Sequence, residues 1–476
     1  MKFGDIYKDA PINLAEKTVE SIQCDSRKVT KNTVFVCING TALDGHEYAQ
    51  SAYDNGASVI ICERDVNLPN QLIVNDSREV YSILCANFFG NPAKKLKLIG
   101  ITGTSGKTTV TYMIRSMLTK LGYKSGLIGT IMNIVGDDIL PAKNTTPDAY
   151  ELHSLFDLML KAGCEYVVME VSSHALDQKR VFNLEFECAV FTNLTQDHLD
   201  YHHTMENYLQ AKLRLFKMCK TAIVNIDDSY AQKVIENCDC KVLTYSAKTN
   251  TADFFADDIK YSAGGVSYTL KTAENQQKVD VKVPGIFTVY NSMTAGISMI
   301  ANGFLFDQIA PKISEVDGVR GRVEVVPSDR DFTMIIDFAH TPDELENVIS
   351  MLNEIKSGRV VTLFGCGGDR DKTKRAVMGE IAAKLSDFVI VTSDNPRTEN
   401  PKKIIEDILS GMQNTKTPYE VIENRKEAIK YAINNAQRDD IILFAGKGHE
   451  TYQITQNGTI HFDEREIIAD VLANKE

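Results

Sequence analysis

The stretch KLIGITGTSGKTT, residues 97–109, decides the fold class. An apolar run leads into a glycine-containing turn, and a helical pattern follows from about Lys107 to Leu121. Glycines let backbone N–H groups curl around a phosphate, and the N-terminus of the helix adds its positive end. Lys107 can reach the β- and γ-phosphates of a nucleotide, and Thr108 can ligate Mg²⁺. The order of strand, loop and helix therefore predicts a nucleotide-binding α/β domain.

This loop is shorter than the full eight-residue phosphate-loop motif, because Ile101 stands where the first glycine would be. A plain strand-to-helix turn with a surface lysine is the alternative. We expect phosphate contacts from Gly103, Thr104, Ser105, Gly106, Lys107, Thr108 and Thr109.

The pattern around the loop predicts three domains. Short apolar strands at 33–40, 57–63 and 71–76 indicate a small N-terminal α/β domain over 1–97. Residues 98–322 form the central phosphate-loop domain, with buried-strand patterns at 164–171, 188–194 and 222–228 that indicate a mostly parallel sheet. Alternation within 253–283 indicates an antiparallel hairpin.

After the glycine- and arginine-rich junction at 318–326, the pattern restarts. Strands at 334–341, 359–368, 387–395 and 440–448 predict a C-terminal Rossmann-like domain over 323–476. Ligands of such sheets bind at the carboxyl ends of the strands, where this sequence places its polar residues.

Composition excludes several classes of protein. The 476 residues are 43% hydrophobic and 24% charged, which is typical of a folded globular chain. A net charge of −12 is a poor match to nucleic acid or an anionic membrane. The ten cysteines show no zinc-ligand spacing, and neither a signal peptide nor a spanning segment is evident. We expect a cytosolic protein without nucleic-acid or membrane partners.

Two loops carry candidate metal ligands. Glu170 ends the strand CEYVVMEV, and FTNLTQDHLDYHH (191–203) offers His198 or Asp197. A solvated acid and a surface histidine cluster are the alternatives. A zinc hydrolase is disfavoured, since the sequence has no helical HExxH.

Together these motifs resemble the Mur ligases, the ATP-dependent amide-forming enzymes of peptidoglycan synthesis. The resemblance spans almost the whole chain and rests on these motifs in this order: GTSGKTT, MEVSSHALDQKR, FTNLTQDHLDYH, YLQAKLRLF, DFAHTPD, GGDRDKTKR, DNPR and GKGHE. It implies a bacterial, cytoplasmic enzyme, expected to be a monomer, that adds the third amino acid to UDP-N-acetylmuramoyl-L-alanyl-D-glutamate.

The resemblance also implies roles for individual residues. Lys107, Lys212 and His198 would be catalytic, with Lys212 carbamylated. The alternative interpretation of Lys212 is an exposed helix lysine without a catalytic role. Mg²⁺ would be held by Thr108, Glu170, His198 and Lys212. Beyond the phosphate loop, ATP would be held by Asn291, Arg322 and Asp337. Two positions depart from the family pattern: Thr288 replaces an asparagine and Arg320 a proline.

The two other substrates would have separate sites. The UDP-substrate would contact Ser26, Asn144, Thr145, Thr146, Ser172, Gln178 and Arg180. Meso-diaminopimelate would contact Arg370, Asp394, Asn395, Pro396, Arg397, Gly446 and Glu450.

The arginine of DNPR implies diaminopimelate rather than lysine. Arg397 could clamp the distal carboxylate of diaminopimelate with two N–H···O bonds, and Glu450 could pair with the distal ammonium. The alternative for Arg397 is a surface ion pair with an acid such as Glu399.

The implied reaction passes through an acyl phosphate, and closure of the domains would bring ATP and the amino acid together. A folylpolyglutamate synthase is the nearest rival, and DSR (25–27), DNPR and GKGHE disfavour it. A nucleotide-binding module without activity is the other alternative. Retention of Lys107, Glu170, His198 and Lys212 disfavours it.

Overall fold

The computed structural model describes residues 1–40, 43–262, 264–316 and 318–473. Its backbone forms two compact units, Met1–Phe255 with Thr294–Ile309, and Ala256–Met293 with Ala310–Glu476. Both units are built of helices and mostly parallel sheets, which confirms the predicted α/β class. The three domain boundaries expected from the sequence stay a prediction.

The first sheet lies in the N-terminal part of the first unit. Its strand order is β1-β2-β3-β4 and its neighbours are parallel. The strands are β1 (Ser21–Gln23), β2 (Thr33–Val36), β3 (Ala57–Cys62) and β4 (Gln71–Ile73). The helices are α1 (Phe3–Ile6), α2 (Ile12–Ala15), α3 (Ala49–Asp54) and α4 (Ser77–Phe88). The strands expected at 33–40, 57–63 and 71–76 are confirmed, with shorter bounds.

A larger sheet follows in the same unit. Its strands are β5 (Lys97–Thr102), β6 (Ser125–Ile128), β7 (Met132–Val135), β8 (Asp138–Pro141), β9 (Tyr166–Glu170), β10 (Phe186–Phe191), β11 (Cys219–Asn225), β12 (Lys241–Ser246) and β13 (Phe254–Ser262). Only the first two residues of β13 belong to this unit. Its helices are α5 (Lys107–Lys120), α6 (Ala149–Lys161), α7 (Ser173–Asp177), α8 (Leu199–His202), α9 (Met205–Leu213) and α10 (Ala231–Glu236). Helices α11 (Ile286–Ala301) and α12 (Phe306–Ile313) contribute residues to both units.

The order of these strands places three loops at one edge. It runs β13-β12-β11-β10-β5-β9-β6-β7-β8, and these pairs are parallel apart from β6 with β7 and β7 with β8. Strands β5, β9 and β10 are buried nearly throughout because the sheet is covered on both faces. Their carboxyl ends are adjacent, so the loops after Thr102, Glu170 and Phe191 meet there.

The second unit contains a hairpin and a doubly wound sheet. Strands β14 (Gly265–Lys271) and β15 (Gln276–Val281) pair in antiparallel fashion, as the sequence predicts; Ala263 of that stretch lies outside the described residues. The further strands are β16 (Glu324–Val326), β17 (Thr333–Asp337), β18 (Val360–Phe364), β19 (Phe388–Val391), β20 (Tyr419–Val421), β21 (Ile441–Ala445), β22 (Tyr452–Thr455) and β23 (Gly458–His461). The helices are α13 (Pro342–Ile355), α14 (Thr373–Leu385), α15 (Pro401–Met412), α16 (Arg425–Asn434) and α17 (Glu464–Ala473).

The strand order of this sheet is β16-β17-β21-β18-β19-β20, and it places the loops that carry the sequence motifs at one edge. Its pairs are parallel apart from β16 with β17. The carboxyl ends of β17, β21, β18 and β19 therefore bring together the loops with DFAHTPD, GKGHE, GGDRD and DNPR. Within the described ranges, no helix is long and apolar enough to cross a membrane.

Candidate active site

The phosphate loop is held open by two glycines in left-handed or related conformations. Gly103 has φ +146° and Gly106 has φ +87°, and α5 begins at the next residue, Lys107. A Cβ atom on Gly103 would lie 1.9 Å from Thr192 Oγ1, so only glycine fits there. The Lys107 ammonium donates to the carbonyls of Gly103 (3.0 Å) and Thr104 (2.8 Å), which keeps this cation at the loop.

Glu170 is a fully buried carboxylate beside this loop. Thr108 Oγ1 donates to its Oε2 at 3.0 Å, and Thr130 donates to both oxygens through its N–H (2.8 Å) and its hydroxyl (3.0 Å). The strand β9 positions this acid at its last residue. An acid and hydroxyls next to a phosphate loop form an oxygen donor set that suits Mg²⁺. The described residues nevertheless contain no cluster of three or more His, Cys, Asp or Glu that could hold a metal alone.

Lys212 is buried, so the alternative interpretation, that it is an exposed helix lysine, is wrong. Its Nζ donates to the Gly103 carbonyl at 2.8 Å and lies 4.4 Å from the centroid of the Tyr208 ring, one helical turn earlier on α9. Burial and the nearby charge of Lys107 hold the pKa of Lys212 well below its ordinary value. Burial therefore disfavours the charged form of this amine.

His198 lies next to the same cations. Its backbone is left-handed (φ +53°), and its Nε2 is 3.3 Å from Asp197 Oδ2. Burial lowers its pKa, and Lys107 and Lys212 lower it further, while Asp197 acts in the opposite direction. The structure thus brings Lys107, Lys212 and His198 together around the phosphate loop.

Sequence reasoning missed the aromatic neighbours of His198. The His174 ring centroid lies 4.9 Å from that of His198 and 4.2 Å from that of Tyr201, and burial lowers the pKa of His174 to about 4. Tyr208 donates to, or accepts from, Thr104 at 3.3 Å and stacks on His202. The motif SSHALDQKR already contained His174, but no spacing rule separated it from an ordinary helix residue.

Of five residues expected at the UDP-substrate, four are joined to one another by hydrogen bonds and the fifth, Thr145, contacts Thr130. Arg180 donates to the Thr146 carbonyl (2.7 Å) and to Gln178 Oε1 (2.7 and 3.1 Å). The Ser172 N–H donates to Thr146 Oγ1 (3.0 Å), and the hydroxyl of Thr145 lies 3.0 Å from that of Thr130.

Ser26 and Asn144 are not hydrogen-bonded to these five within the described part of the chain. Their segments are nevertheless linked. The thiol of Cys24 contacts the Tyr81 hydroxyl at 3.9 Å, and Tyr81 donates to Asp148 Oδ1 at 3.5 Å. The DSR segment is thereby tied to the residues that follow Thr146.

In the second unit, the carboxyl ends of β19 and β21 bring together Asp394, Asn395, Gly446 and Glu450. Asn395 Nδ2 donates to Glu450 Oε2 at 2.9 Å, and the fully buried Lys447 donates to the same oxygen at 2.9 Å. Asp394 Oδ2 is buried with no hydrogen-bond partner among the described residues, although Arg425 Nη1 lies 3.9 Å away. A Cβ atom on Gly446 would lie 3.0 Å from the same oxygen. Lys447 was not anticipated from the sequence, although it belongs to GKGHE.

Arg397 has a left-handed backbone (φ +52°) that follows Pro396. Its Nη1 donates to the Gly368 carbonyl at 2.8 Å and weakly to that of Asn395 at 3.5 Å. Arg397 does not form the ion pair with Glu399 that was the alternative interpretation of the sequence. Arg370 is exposed and donates to the Asp369 carbonyl, so it is not joined to the others.

The residues expected at the nucleoside also lie in the second unit. Asp337 accepts from the N–H groups of Val323 and Ala339, both at 2.7 Å, and burial raises its pKa. The Arg322 guanidinium lies 4.9 Å from the centroid of the Phe338 ring. Asn291 lies on α11, and Thr288, which replaces the usual asparagine, donates to the Pro284 carbonyl.

A phosphate loop beside a buried carboxylate, together with a doubly wound sheet that presents Arg397 and Glu450, defines a nucleotide-dependent enzyme that acts on a charged small molecule. Three family models match the chain: the Mur ligase family catalytic domain over residues 18–92, the Mur ligase middle domain over 101–299, and the glutamate ligase domain over 321–448. The chain belongs to the Mur ligase family, whose members form amide bonds with ATP.

Relatives of the chain share most of its length. A UDP-N-acetylmuramoyl-L-alanyl-D-glutamate--2,6-diaminopimelate ligase of Caldanaerobacter subterraneus subsp. tengcongensis is 47% identical, covering 96% of this chain and 95% of that protein. Its namesake in Bacillus velezensis is 45% identical, covering 94% and 93%. A solved structure of a ligase with this name is 33% identical, with TM-score 0.73 and 99% of each chain covered. The MurF ligase of Thermotoga maritima in complex with ADP, at 19% identity and TM-score 0.62, shares the fold.

Proposed function

We propose that this chain joins meso-diaminopimelate to UDP-N-acetylmuramoyl-L-alanyl-D-glutamate, with conversion of ATP to ADP and phosphate, as a step of peptidoglycan precursor synthesis. The relatives that carry this activity in their names support it, as does the geometry of the second unit. The observation that carries the choice of amino acid is Arg397, a guanidinium without an acid partner in the described chain. It lies on the same loop as Asn395, which donates to Glu450 of the loop after β21. We place the reaction in the bacterial cytoplasm and expect a monomer.

The first step forms an acyl phosphate. A carboxylate oxygen of the D-glutamate residue attacks the γ-phosphorus of ATP, and ADP leaves. The loop N–H groups and Lys107 stabilise the negative charge that develops on the phosphoryl oxygens. To do so, the Lys107 ammonium exchanges the carbonyls of Gly103 and Thr104 for phosphate oxygens.

The second step forms the amide. The amine of diaminopimelate attacks the acyl carbon and loses a proton, and the tetrahedral intermediate expels phosphate. Arg397 and Glu450 hold the distal carboxylate and ammonium of the amino acid, which fixes the direction of the reacting amine. Thr146, Ser172, Gln178 and Arg180 would hold the UDP-substrate.

Mg²⁺ fits the oxygen donors of the first unit. Thr108 and Glu170 would hold one ion, and Glu170, His198 and a carbamylated Lys212 would hold another. When bound, the ions would neutralise charge on the phosphoryl group. A neutral Lys212 amine can add to CO₂ with release of a proton, which would place an anion beside Lys107; burial of this amine supports that role.

The test is release of phosphate from ATP, Mg²⁺ and the UDP-muramoyl dipeptide on addition of meso-diaminopimelate. We expect release with the wild type and none with Lys107→Ala, whose unfolding midpoint should stay close to that of the wild type. A folylpolyglutamate synthase would instead release phosphate with a folate and glutamate. Phosphate release with folate and glutamate, or none with diaminopimelate, would refute the proposal.

A further inference from the structure

The loop around Arg397 contains two acids that could neutralise this guanidinium. Glu399 follows two residues later, and Asp369 lies opposite, where its charge and that of Arg397 influence each other. Both Arg397 and Glu399 contact Gly368: the guanidinium donates to its carbonyl at 2.8 Å, and a Cβ atom on Gly368 would lie 3.3 Å from Glu399 Cβ. Rotation of the Glu399 side chain could therefore bring its carboxylate to Arg397.

Both acids are occupied by other residues. Asp369 accepts from the Thr398 N–H (3.1 Å) and from its hydroxyl (2.7 Å). Glu399 is held by Arg375 through two nearly parallel bonds, Nη1 to Oε2 at 3.0 Å and Nη2 to Oε1 at 2.8 Å. Such a fork is the strongest arrangement between a guanidinium and a carboxylate.

Arg375 is a buried residue whose guanidinium contacts the loop at Glu399 and, through Nη2, at the Gly367 carbonyl (3.2 Å). Its side chain is 1% exposed on α14, and the same Nη1 also donates to Asp407 Oδ2 at 2.9 Å. The Asp369 N–H at 2.6 Å and the exposed Lys372 ammonium at 3.3 Å also contact the Glu399 carboxylate. As a result, Arg397 makes no ion pair with any acid in the described ranges of the chain.

We infer that Arg375 is a positioning residue for the specificity of the amino-acid site: by occupying Glu399, it keeps Arg397 free for a carboxylate of the substrate. This inference rests on the proposed function, since it assigns the carboxylate to the distal end of diaminopimelate. Arg375 itself does not touch the substrate. Without it, Glu399 would become an intramolecular competitor of that carboxylate.

The experiment is a double-mutant cycle on the full chain. Arg375→Met should raise the KM for diaminopimelate about tenfold or more, because the freed Glu399 pairs with Arg397. Glu399→Gln alone should stay within about threefold of the wild type. In the double variant the KM should return to within about threefold of the wild-type value, because the Glu399 carboxylate is no longer there to compete. Arg375→Lys keeps the charge but cannot form the two parallel bonds, so its KM for diaminopimelate should lie between those of the wild type and Arg375→Met.

The outcomes separate this inference from the proposed function. Wild-type turnover with diaminopimelate tests the function, and the KM cycle tests Arg375. The matched control is Arg359→Met, which breaks the ion pair with buried Asp440 at the opposite end of the sheet and should leave the KM unchanged. The KM for ATP should stay constant throughout. An unchanged KM in Arg375→Met, or an equal rise in the single and double variants, would overturn the inference. If Arg375→Met does not fold, Arg375→Lys with and without Glu399→Gln gives the same comparison.

Discussion

At the scale of single residues, the prediction with the largest expected effect on the reaction concerns Lys212. Its amine is buried, bonded to the Gly103 carbonyl and close to Lys107, and its pKa is lowered for that reason. We expect Lys212→Ala to lower kcat at least about 100-fold, as loss of a group that stabilises developing charge does. Short carboxylic acids should restore part of the rate by occupying the vacated anionic position. A ¹³C signal that depends on labelled bicarbonate reports the carbamate.

Conservative replacements sharpen this test. Lys212→Met removes the amine but keeps the apolar stem against Tyr208, so it should be as inactive as Lys212→Ala while unfolding at nearly the wild-type midpoint. Full activity of either variant would mean that the amine has no part in the reaction.

Arg397 decides specificity in our account. Arg397→Ala should raise the KM for diaminopimelate and cost about 2–3 kcal/mol of transition-state stabilisation, or roughly 30- to 150-fold in kcat/KM, because a carboxylate loses its charged partner in a partly solvated site. Arg397→Lys should recover only part, because an ammonium cannot form the two-bond clamp. Steady-state kinetics with both substrates varied should show the KM for ATP little changed.

At the scale of elements, α14 and α15 pack through glycines. A Cβ atom on Gly411 would lie 1.8 Å from the Ala376 carbonyl oxygen, and one on Gly379 would lie 2.2 Å from that of Ile408. Gly411→Ala gains up to about 1 kcal/mol of helix propensity but forces the two helices apart, which costs about 1–3 kcal/mol or more. We expect the steric cost to exceed the gain in helix propensity, so the urea concentration at the midpoint of unfolding should fall. Lys403→Ala, at an exposed position of α15, is the control. A Gly411→Ala variant more stable than the wild type would show that the helices separate easily.

The elements also show where sequence patterns were too weak. The hairpins β7–β8 and β22–β23 were not predicted, because each strand has only four residues and a run of that length rarely stands out. Their turns did carry signals: Gly136 has φ +61° in one, and Asn457-Gly458 lies in the other. The second hairpin matters for the site, since the Ile454 N–H donates to Asn395 Oδ1 at 2.9 Å.

At the scale of the whole molecule, stability should depend on pH through a buried histidine. His153 on α6 is 1% exposed, neither ring nitrogen has a hydrogen-bond partner among the described residues, and burial lowers its pKa from 6.5 to about 4. Between these values the unfolded chain binds the proton and the folded chain does not, so stability falls as the pH falls below about 6.5. This residue contributes up to about 1.4 kcal/mol per pH unit in that window.

The variant His153→Leu isolates this contribution. It should flatten the fall of the free energy of unfolding between pH 6.5 and 4, measured by urea titration at several pH values. His461→Gln is the control: Glu466 raises the pKa of the exposed His461, so that histidine affects the slope only above about pH 6.5, and the fall between pH 6.5 and 4 should remain. A pH slope that stays the same in His153→Leu would mean that the histidine is protonated in the folded state.

The fold as a whole followed from local pattern, whereas the site followed only in part. The strand, glycine turn and helix around Lys107 repeat a geometry that phosphate binding requires, so those residues could be placed from sequence. The burial of Lys212, the ion pair of Arg375 with Glu399 and the contact of Lys447 with Asn395 (3.2 Å) could not. Each depends on side chains far apart in the sequence that only the sheet order brings together.

A comparison of two amino acids in one assay shows whether Arg397 selects a distal carboxylate. With saturating ATP, Mg²⁺ and the UDP-muramoyl dipeptide, phosphate release by the wild type is measured against the concentration of meso-diaminopimelate or L-lysine. Lysine lacks the distal carboxylate and brings only its ammonium towards the Arg397 guanidinium, so we predict a kcat/KM at least about 30-fold lower with lysine. Equal kcat/KM values for the two amino acids would contradict the account.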